Sequence, residues 1–180
     1  MQTLELLPHP ARPPVQVSSV QARVVSLDAQ WLRVRWRIEG AQSVVVPAFA
    51  GRGRADGLWQ ATCFELFVRE GAGPGYAEFN LSPSERWNAY RFEDERDGQG
   101  ELALPQEPSC TLRQGSSFAI FDAAIPALPL FDGQPAVAIS AVIEEQGGVF
   151  SYWALAHPAS APDFHAPACF TAALPPPSEA

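Results

Sequence analysis

The chain has 180 residues, of which 47% are hydrophobic and 18% charged, so it is long enough for one domain with a single core. The net charge of −8 disfavours binding to nucleic acid or anionic membranes, and no stretch approaches the roughly 20 apolar residues of a membrane span. All twelve basic residues are arginine, which excludes Schiff-base chemistry, a lysine general base and a phosphate-loop lysine.

The N-terminal residues 1–16 contain four prolines, which predict an extended lead-in instead of a helix. They lack the basic and apolar regions of a signal peptide, so we expect a soluble, cytoplasmic protein. The three cysteines, Cys63, Cys110 and Cys169, are widely spaced and form no C-x-x-C pair. This spacing does not predict a disulfide framework.

Residues 31–39 alternate strictly between apolar and polar side chains, which predicts a half-buried strand. Its arginines could bind an anion, but a polar outer face of the sheet in contact with water is the simpler interpretation. Similar patterns predict strands at residues 17–27, 63–68, 76–81, 87–92, 109–113, 117–124, 135–144 and 149–155.

About ten predicted strands, without a convincing helical period anywhere, indicate an all-β fold. Short turns between strands favour antiparallel pairing, and we predict a two-sheet antiparallel β-sandwich or jelly roll over residues 17–173. The proline-rich residues 174–180 are predicted to form a disordered tail.

The most informative segment runs from residue 57 to residue 92. In its first strand, Glu65 shares a face with Cys63 and Phe67, where apolar side chains are expected, so it needs a partner or a ligand. Arg86 is the candidate partner. An aromatic ring such as Trp59 beside polar side chains is what sugar recognition requires, whereas a core tryptophan and an internal Glu–Arg pair would use the same residues.

Several motifs in the chain resemble those of the DOMON-like domain family, which is related to the family 9 carbohydrate-binding modules. They are GLWQ at 57–60, CFELF at 63–67, YAEFNLSP at 76–83 and WNAY at 87–90. YWALAHP at 152–158 and PDFH at 162–165 are similar to the C-terminal signature of small DOMON-like proteins. The resemblance extends from about residue 31 to residue 170.

This resemblance implies a jelly roll in which two tryptophan rings clamp a sugar and polar side chains bind its hydroxyls. Trp59 and Glu65 match the W-x5-E element, and Trp153 is the expected second ring. Asn80 and Arg86 would contribute by their position. The leading hypothesis is therefore a non-catalytic domain that binds a small sugar or polyol through these five residues.

Metal and haem sites are weaker hypotheses. His157, Asp163 and His165 could bind a divalent metal, although their spacing matches no strong motif. Related domains can hold haem through Met and His, but Met1 is the sole methionine, which leaves only a bis-His site from His157 and His165. The family resemblance leaves calcium as a weak possibility. We predict that the protein has no cofactor.

Two further functions remain open. The chain could be an interaction or regulatory domain that has no small ligand and contacts a partner or a second copy of itself as a homodimer; an exposed apolar patch would distinguish it. It could instead be a metal-assisted enzyme built on His157, Asp163 and His165. A Cys63 nucleophile is less favoured, because this residue lies in mid-strand among apolar neighbours.

Overall fold

The computed structural model describes residues 2–178, which form thirteen β-strands and four short 3-10 turns but no α-helix. The prediction of an all-β chain is confirmed, and no helix in the described residues is long and apolar enough to cross a membrane. The strands are β1 (Leu4–Pro8), β2 (Ser19–Leu27), β3 (Trp31–Glu39), β4 (Gly53–Arg54), β5 (Cys63–Arg69), β6 (Tyr76–Leu81), β7 (Arg86–Phe92), β8 (Gly100–Glu101), β9 (Ser109–Gln114), β10 (Phe118–Pro126), β11 (Ala136–Glu145), β12 (Val149–Ala154) and β13 (Ala172–Ala173).

The strands form one continuous sheet in the order β4-β7-β6-β5-β11-β12-β1-β2-β3-β10-β9, with β13 beside β11 and β8 beside β7. Neighbours are antiparallel except β4 and β7, which are parallel. The expected pair of separate sheets is therefore not observed. The reason is β1, whose first residues pair with β2 and whose last residues pair with β12.

The sheet curls so that its two halves pack on each other through apolar side chains. Phe64 of β5 stacks on Phe121 of β10, with 4.1 Å between ring centroids, and both rings contact Trp36 of β3. All three side chains are completely buried. The core therefore lies between the half that contains β5 and the half that contains β3.

The alternation in β3 has the predicted consequence. Leu32, Val34, Trp36 and Ile38 are at most 1% exposed, while the arginines of β3 point away from the core. Arg33 pairs with Asp28, and Arg35 pairs with Asp122 of the neighbouring strand β10. The arginine face is thus a partly solvated ion-pair surface on the outside of the sheet.

Both ends of the chain pack against the domain. The lead-in contains β1, and its last residues are bound by the buried carboxylate of Glu145. In the predicted tail, Leu174 is 1% exposed, and the backbone N–H of Ser178 donates to the carbonyl of Leu27. Residues 174–178 therefore contact the domain; residues 1, 179 and 180 lie outside the described part of the chain.

Candidate functional site

A pocket of about 490 Å³ lies on the outer face of the half-sheet formed by β7, β6, β5, β11 and β12. Strand alternation explains this placement: Phe64 and Leu66 of β5 point into the core, so Glu65 and Phe67 point to the opposite face. Here that face is covered by loops instead of open to water. The pocket is lined by Arg12, Trp59, Glu65, Glu78, Asn80, Tyr90, Phe92, Arg96, Gln99, Val142, Tyr152, Pro162, Phe164 and His165.

A row of polar side chains crosses four adjacent strands beneath the pocket. Ser140 of β11 lies opposite Glu65 of β5, which lies opposite Asn80 of β6, which in turn lies opposite Asn88 of β7. Each of these residues is at most 5% exposed. Four buried polar residues in register are costly to fold unless they hydrogen bond to one another or to a ligand.

Glu78 adds a second carboxyl group to this floor. It precedes Asn80 by two residues on β6, so both side chains share a face, and Asn80 Nδ2 donates to Glu78 Oε1 over 2.8 Å. Glu65 lies diagonally across from it on β5 and accepts a hydrogen bond from Ser140 Oγ over 3.1 Å. The two carboxyl groups thus face one pocket from neighbouring strands.

Burial is the main cause of the raised pKa values of Glu65 and Glu78. It raises the pKa of Glu65, and the nearby charge of Glu78 raises it further. Burial also raises the pKa of Glu78, against the opposing hydrogen bond from Asn80 and the charge of Arg96. Carboxyl groups with raised pKa values in a cleft are typical of functional sites, because such burial costs stability.

Asn80 has an unused acceptor beneath the pocket. Its side chain is 2% exposed, and its amide nitrogen is committed to Glu78, which fixes the orientation of the amide. Its Oδ1 atom is buried and has no hydrogen-bond partner among residues 2–178. A buried acceptor without a donor is uncommon in folded proteins and indicates a place for a ligand group.

Two loops close the pocket from above and are joined by Asp163. Its Oδ1 accepts hydrogen bonds from Arg96 Nη2 over 2.8 Å and from the backbone N–H of His165 over 3.0 Å. Arg96 itself has a φ of 55°, a left-handed backbone that is strained for a residue other than glycine. This contact positions the guanidinium group of Arg96 and the imidazole of His165 at the pocket.

His165 is neutral at physiological pH in this position. Burial lowers its pKa to about 4, and the charge of Arg96 acts in the same direction. Its Nδ1 lies 2.7 Å from the hydroxyl of Tyr76, which also accepts the backbone N–H of Arg96 over 3.1 Å. Which of these two groups donates depends on the tautomer of the imidazole, and the other ring nitrogen, Nε2, lies 3.9 Å from Glu78 Oε2.

Aromatic rings form the walls. Trp59 lies in the 3-10 turn Leu58–Gln60, which follows Gly57 with a φ of 68°, and the Trp59 side chain is 53% exposed. Tyr90 lies on β7, where its hydroxyl donates to Asp56 Oδ1 and accepts from Asn88 Nδ2. An exposed, flat ring above a polar floor can cover an apolar face of a ligand while the floor binds its polar groups.

The structure brings together three of the five predicted site residues. Trp59, Glu65 and Asn80 line the pocket. Trp153 does not, because it faces the core, is 2% exposed and donates from Nε1 to Ser151 Oγ. Arg86 does not either: its Nη2 donates to the carbonyl of Ala50, and Ser140, not Arg86, hydrogen bonds to Glu65. A clamp of two tryptophans is therefore absent from the pocket.

Glu78, Tyr90 and Arg96 also line the pocket but were not predicted from the sequence. A signal for Glu78 was available, since period-two alternation places it on the same face as Asn80. The same reasoning links Tyr90 to Asn88 on β7. No local pattern identifies Arg96, because it lies in a loop.

The three candidate metal ligands are engaged in other contacts. His157 Nε2 donates to the carbonyl of Leu7, Asp163 pairs with Arg96, and His165 contacts Tyr76. Within residues 2–178, no group of three or more His, Cys, Asp or Glu side chains is arranged to hold a metal ion. The predicted set of His157, Asp163 and His165 therefore does not form one ligand cluster.

Comparison with known proteins finds proteins that are similar to this chain in structure. No family model matches the chain, and no curated protein matches it in sequence. A candidate carbohydrate-binding protein from Bacteroides uniformis superposes with a TM-score of 0.62 and 16% identity, covering 94% of this chain and 84% of that one. A family 9 carbohydrate-binding module from Caldicellulosiruptor kristjanssonii, in complex with glucose, gives a TM-score of 0.47 and 9% identity over 84% and 74% of the two chains. The first of these likenesses indicates a shared fold.

Proposed function

We propose that this protein is a non-catalytic domain that binds a sugar or polyol end-group in the pocket on β5, β6 and β7. The observation that carries this proposal is the half-exposed ring of Trp59 above a floor of buried acceptors from Glu65, Glu78 and Asn80. Sugars combine flat C–H surfaces with hydroxyl donors, and this pocket offers a partner for each.

The size and depth of the pocket agree with this ligand class. A volume of about 490 Å³ is within the range of small-molecule sites. The polar atoms of Glu65, Glu78 and Asn80 lie at the bottom on strands, whereas the aromatic ring of Trp59 lies at the mouth. A sugar ring could therefore enter along Trp59 and bring several hydroxyls to Glu78 and Asn80.

The shared fold with the Bacteroides protein supports the proposal, since that protein is described as a candidate carbohydrate-binding protein. We also propose that the curled sheet is a variant of the jelly roll and that the chain is a distant member of the DOMON-like family. The sequence motifs at residues 57–67 and 76–90 support this relationship. The proposed clamp, however, uses Trp59 with Tyr90 and Tyr152 in place of Trp153.

Substituting Trp59 by alanine tests the proposal. We expect Trp59→Ala to weaken sugar binding about 30-fold, corresponding to about 2 kcal/mol, because it removes the exposed aromatic ring from the pocket wall. The fold should persist, since Trp59 lies on a surface turn. The measurement is tryptophan fluorescence and melting temperature across mono- and disaccharides, with and without calcium.

Phe49→Ala provides the matched control. Phe49 is an aromatic side chain that is 72% exposed and does not line the pocket, so its removal should leave sugar binding unchanged. Equal affinity of wild type and Trp59→Ala for a sugar that binds would contradict the placement of the site. A lack of response to every sugar would contradict the function and favour the protein-interaction alternative.

A further inference from the structure

With its two carboxyl groups ionised, the floor of the pocket contains more acceptors than donors. Glu65 receives one hydrogen bond, from Ser140, and Glu78 receives one, from Asn80. Asn80 Oδ1 receives none from residues 2–178, and His165 Nε2 is 3.9 Å from Glu78, too far for a hydrogen bond. A ligand that binds here must therefore supply hydrogen-bond donors to the floor.

Positive charge is present at the mouth of the pocket but not on the floor. Arg12 is exposed, and the Arg96 side chain is 57% exposed and already paired with Asp163. The imidazole of His165 is neutral, as described above. The remaining titratable groups on the lining are the phenols of Tyr90 and Tyr152. Within the described chain, the floor carboxyl groups thus lack a buried cation.

The walls have the character that favours an organic cation. Rings of Tyr90, Phe92, Tyr152 and Phe164 surround the floor, and Trp59 stands at the mouth. The face of an aromatic ring attracts an ammonium group, and this attraction is stronger where water is excluded. Carboxyl groups on the floor and aromatic rings on the walls form an environment that suits a protonated amine better than a neutral hydroxyl.

We propose that the pocket selects a polyol that carries a protonated primary amine, such as an amino sugar, over the corresponding neutral sugar. The amine lies on the floor, where it donates to Glu65, Glu78 and Asn80 Oδ1, and the sugar ring lies toward Trp59. This inference rests on the proposed function, because it assigns the ligand class of the same site.

Proton release on binding is a consequence of this arrangement. Near neutral pH the raised pKa values of Glu65 and Glu78 favour a protonated carboxyl in the free protein. A bound ammonium group favours the ionised form of both carboxyl groups, so the pair gives up protons when the amine binds. A neutral sugar has no such effect.

The experiment is isothermal titration calorimetry at pH 7 and low salt with glucosamine, glucose and N-acetylglucosamine. We expect glucosamine to bind at least about tenfold more tightly than the other two, because only its nitrogen is charged. Titrations in two buffers with different ionisation enthalpies should show protons released with glucosamine and none with glucose. Cyclohexylamine is included as an amine without hydroxyls.

The matched variant is Glu78→Gln, which keeps the size of the side chain and removes its charge. It should remove the preference, so that glucosamine and glucose bind this variant with similar affinity. Glu65→Gln should also reduce the preference for glucosamine over glucose. Melting curves of both variants confirm that each one is folded before binding is compared.

The outcomes separate this inference from the proposed function. Equal binding of glucose and glucosamine overturns the amine preference and leaves a sugar site. Absence of binding by all three sugars overturns both proposals. Cyclohexylamine binding as tightly as glucosamine overturns the sugar assignment and leaves a site for the amine itself. A rise in melting temperature with calcium that Glu78→Gln abolishes would identify the floor as a metal site and overturn the inference.

Discussion

Replacing Glu145 by alanine is expected to lower the free energy of unfolding by about 3 to 5 kcal/mol. The carboxylate is 1% exposed and lies at the end of β11. Its two oxygens accept backbone N–H groups from Val15, Gln16 and Val17 and the hydroxyl of Ser43, over 2.6 to 3.1 Å. Alanine leaves all of these donors without a partner and frees the lead-in that precedes β2.

The measurement is chemical denaturation of wild type and Glu145→Ala, with Glu144→Ala as the control. Glu144 is the half-buried neighbour on the same strand, and its replacement should cost less than about 1 kcal/mol. In a chain of this length the Glu145 variant should melt roughly 10 °C lower. Similar melting of both variants would show that the carboxylate does not hold the lead-in.

The pH dependence of this effect has a definite sign. Burial raises the pKa of Glu145, but hydrogen bonds from Val15, Gln16, Ser43 and Val17 together outweigh it, so its pKa is lowered. A lowered pKa means that the stabilisation is complete above the unfolded pKa of about 4.3 and is lost as the pH falls through the folded value. The difference between wild type and Glu145→Ala should therefore be constant from pH 6 to 8 and shrink below pH 4.

Replacing Glu65 by glutamine is expected to have the opposite effect and stabilise the protein by about 2 kcal/mol above neutral pH. Burial of Glu65 is the larger cause of its raised pKa, and the proximity of Glu78 is the second. Between the unfolded and the folded pKa, the native protein binds more protons than the unfolded chain. Stability of the wild type must therefore fall as the pH rises through this window.

Chemical denaturation between pH 5 and pH 9 tests this expectation. Wild type should lose stability across this range, and Glu65→Gln should lose less, because one of the two coupled groups no longer ionises. The control is Glu107→Gln, an exposed carboxylate whose removal should leave the wild-type slope unchanged. Parallel pH profiles of wild type and Glu65→Gln would show that the buried carboxyl does not limit stability.

These two glutamates have similar burial and opposite roles. Glu145 is surrounded by donors and stabilises the fold, whereas Glu65 has one donor and a second carboxyl beside it. A group that costs stability is retained where it serves binding. The contrast supports the choice of the pocket on β5 and β6 as the functional site.

The strands were largely predictable because their patterns are local. Nine predicted strands, including residues 31–39 and 76–81, agree with observed strands within a few residues. Turns rich in glycine and proline marked their ends. The unusual position of Glu65 was also readable, since a carboxyl between apolar neighbours breaks the expected pattern whatever the fold.

The roles of Trp153 and Arg86 depended on tertiary structure. Both faces of β12 are covered, so alternation alone does not tell which face is the core; pairing with Ala141 of β11 decides that Trp153 points inward. Arg86 lies where β7 meets the short parallel strand β4, a pairing with no local signal. Whether Trp153 joins Trp59 at the site could therefore not be decided without these strand registers.

The amino-acid sequence by itself determined the strands, the buried face of β3 and the presence of an exceptional carboxyl group, because period-two alternation and turn chemistry act over a few residues. Only the tertiary structure decided which side chains meet in the pocket. Arg96 and His165 come from loops almost 70 residues apart in number and are joined through Asp163. Such contacts depend on how the sheet curls and where its loops return, and no local pattern contains that information.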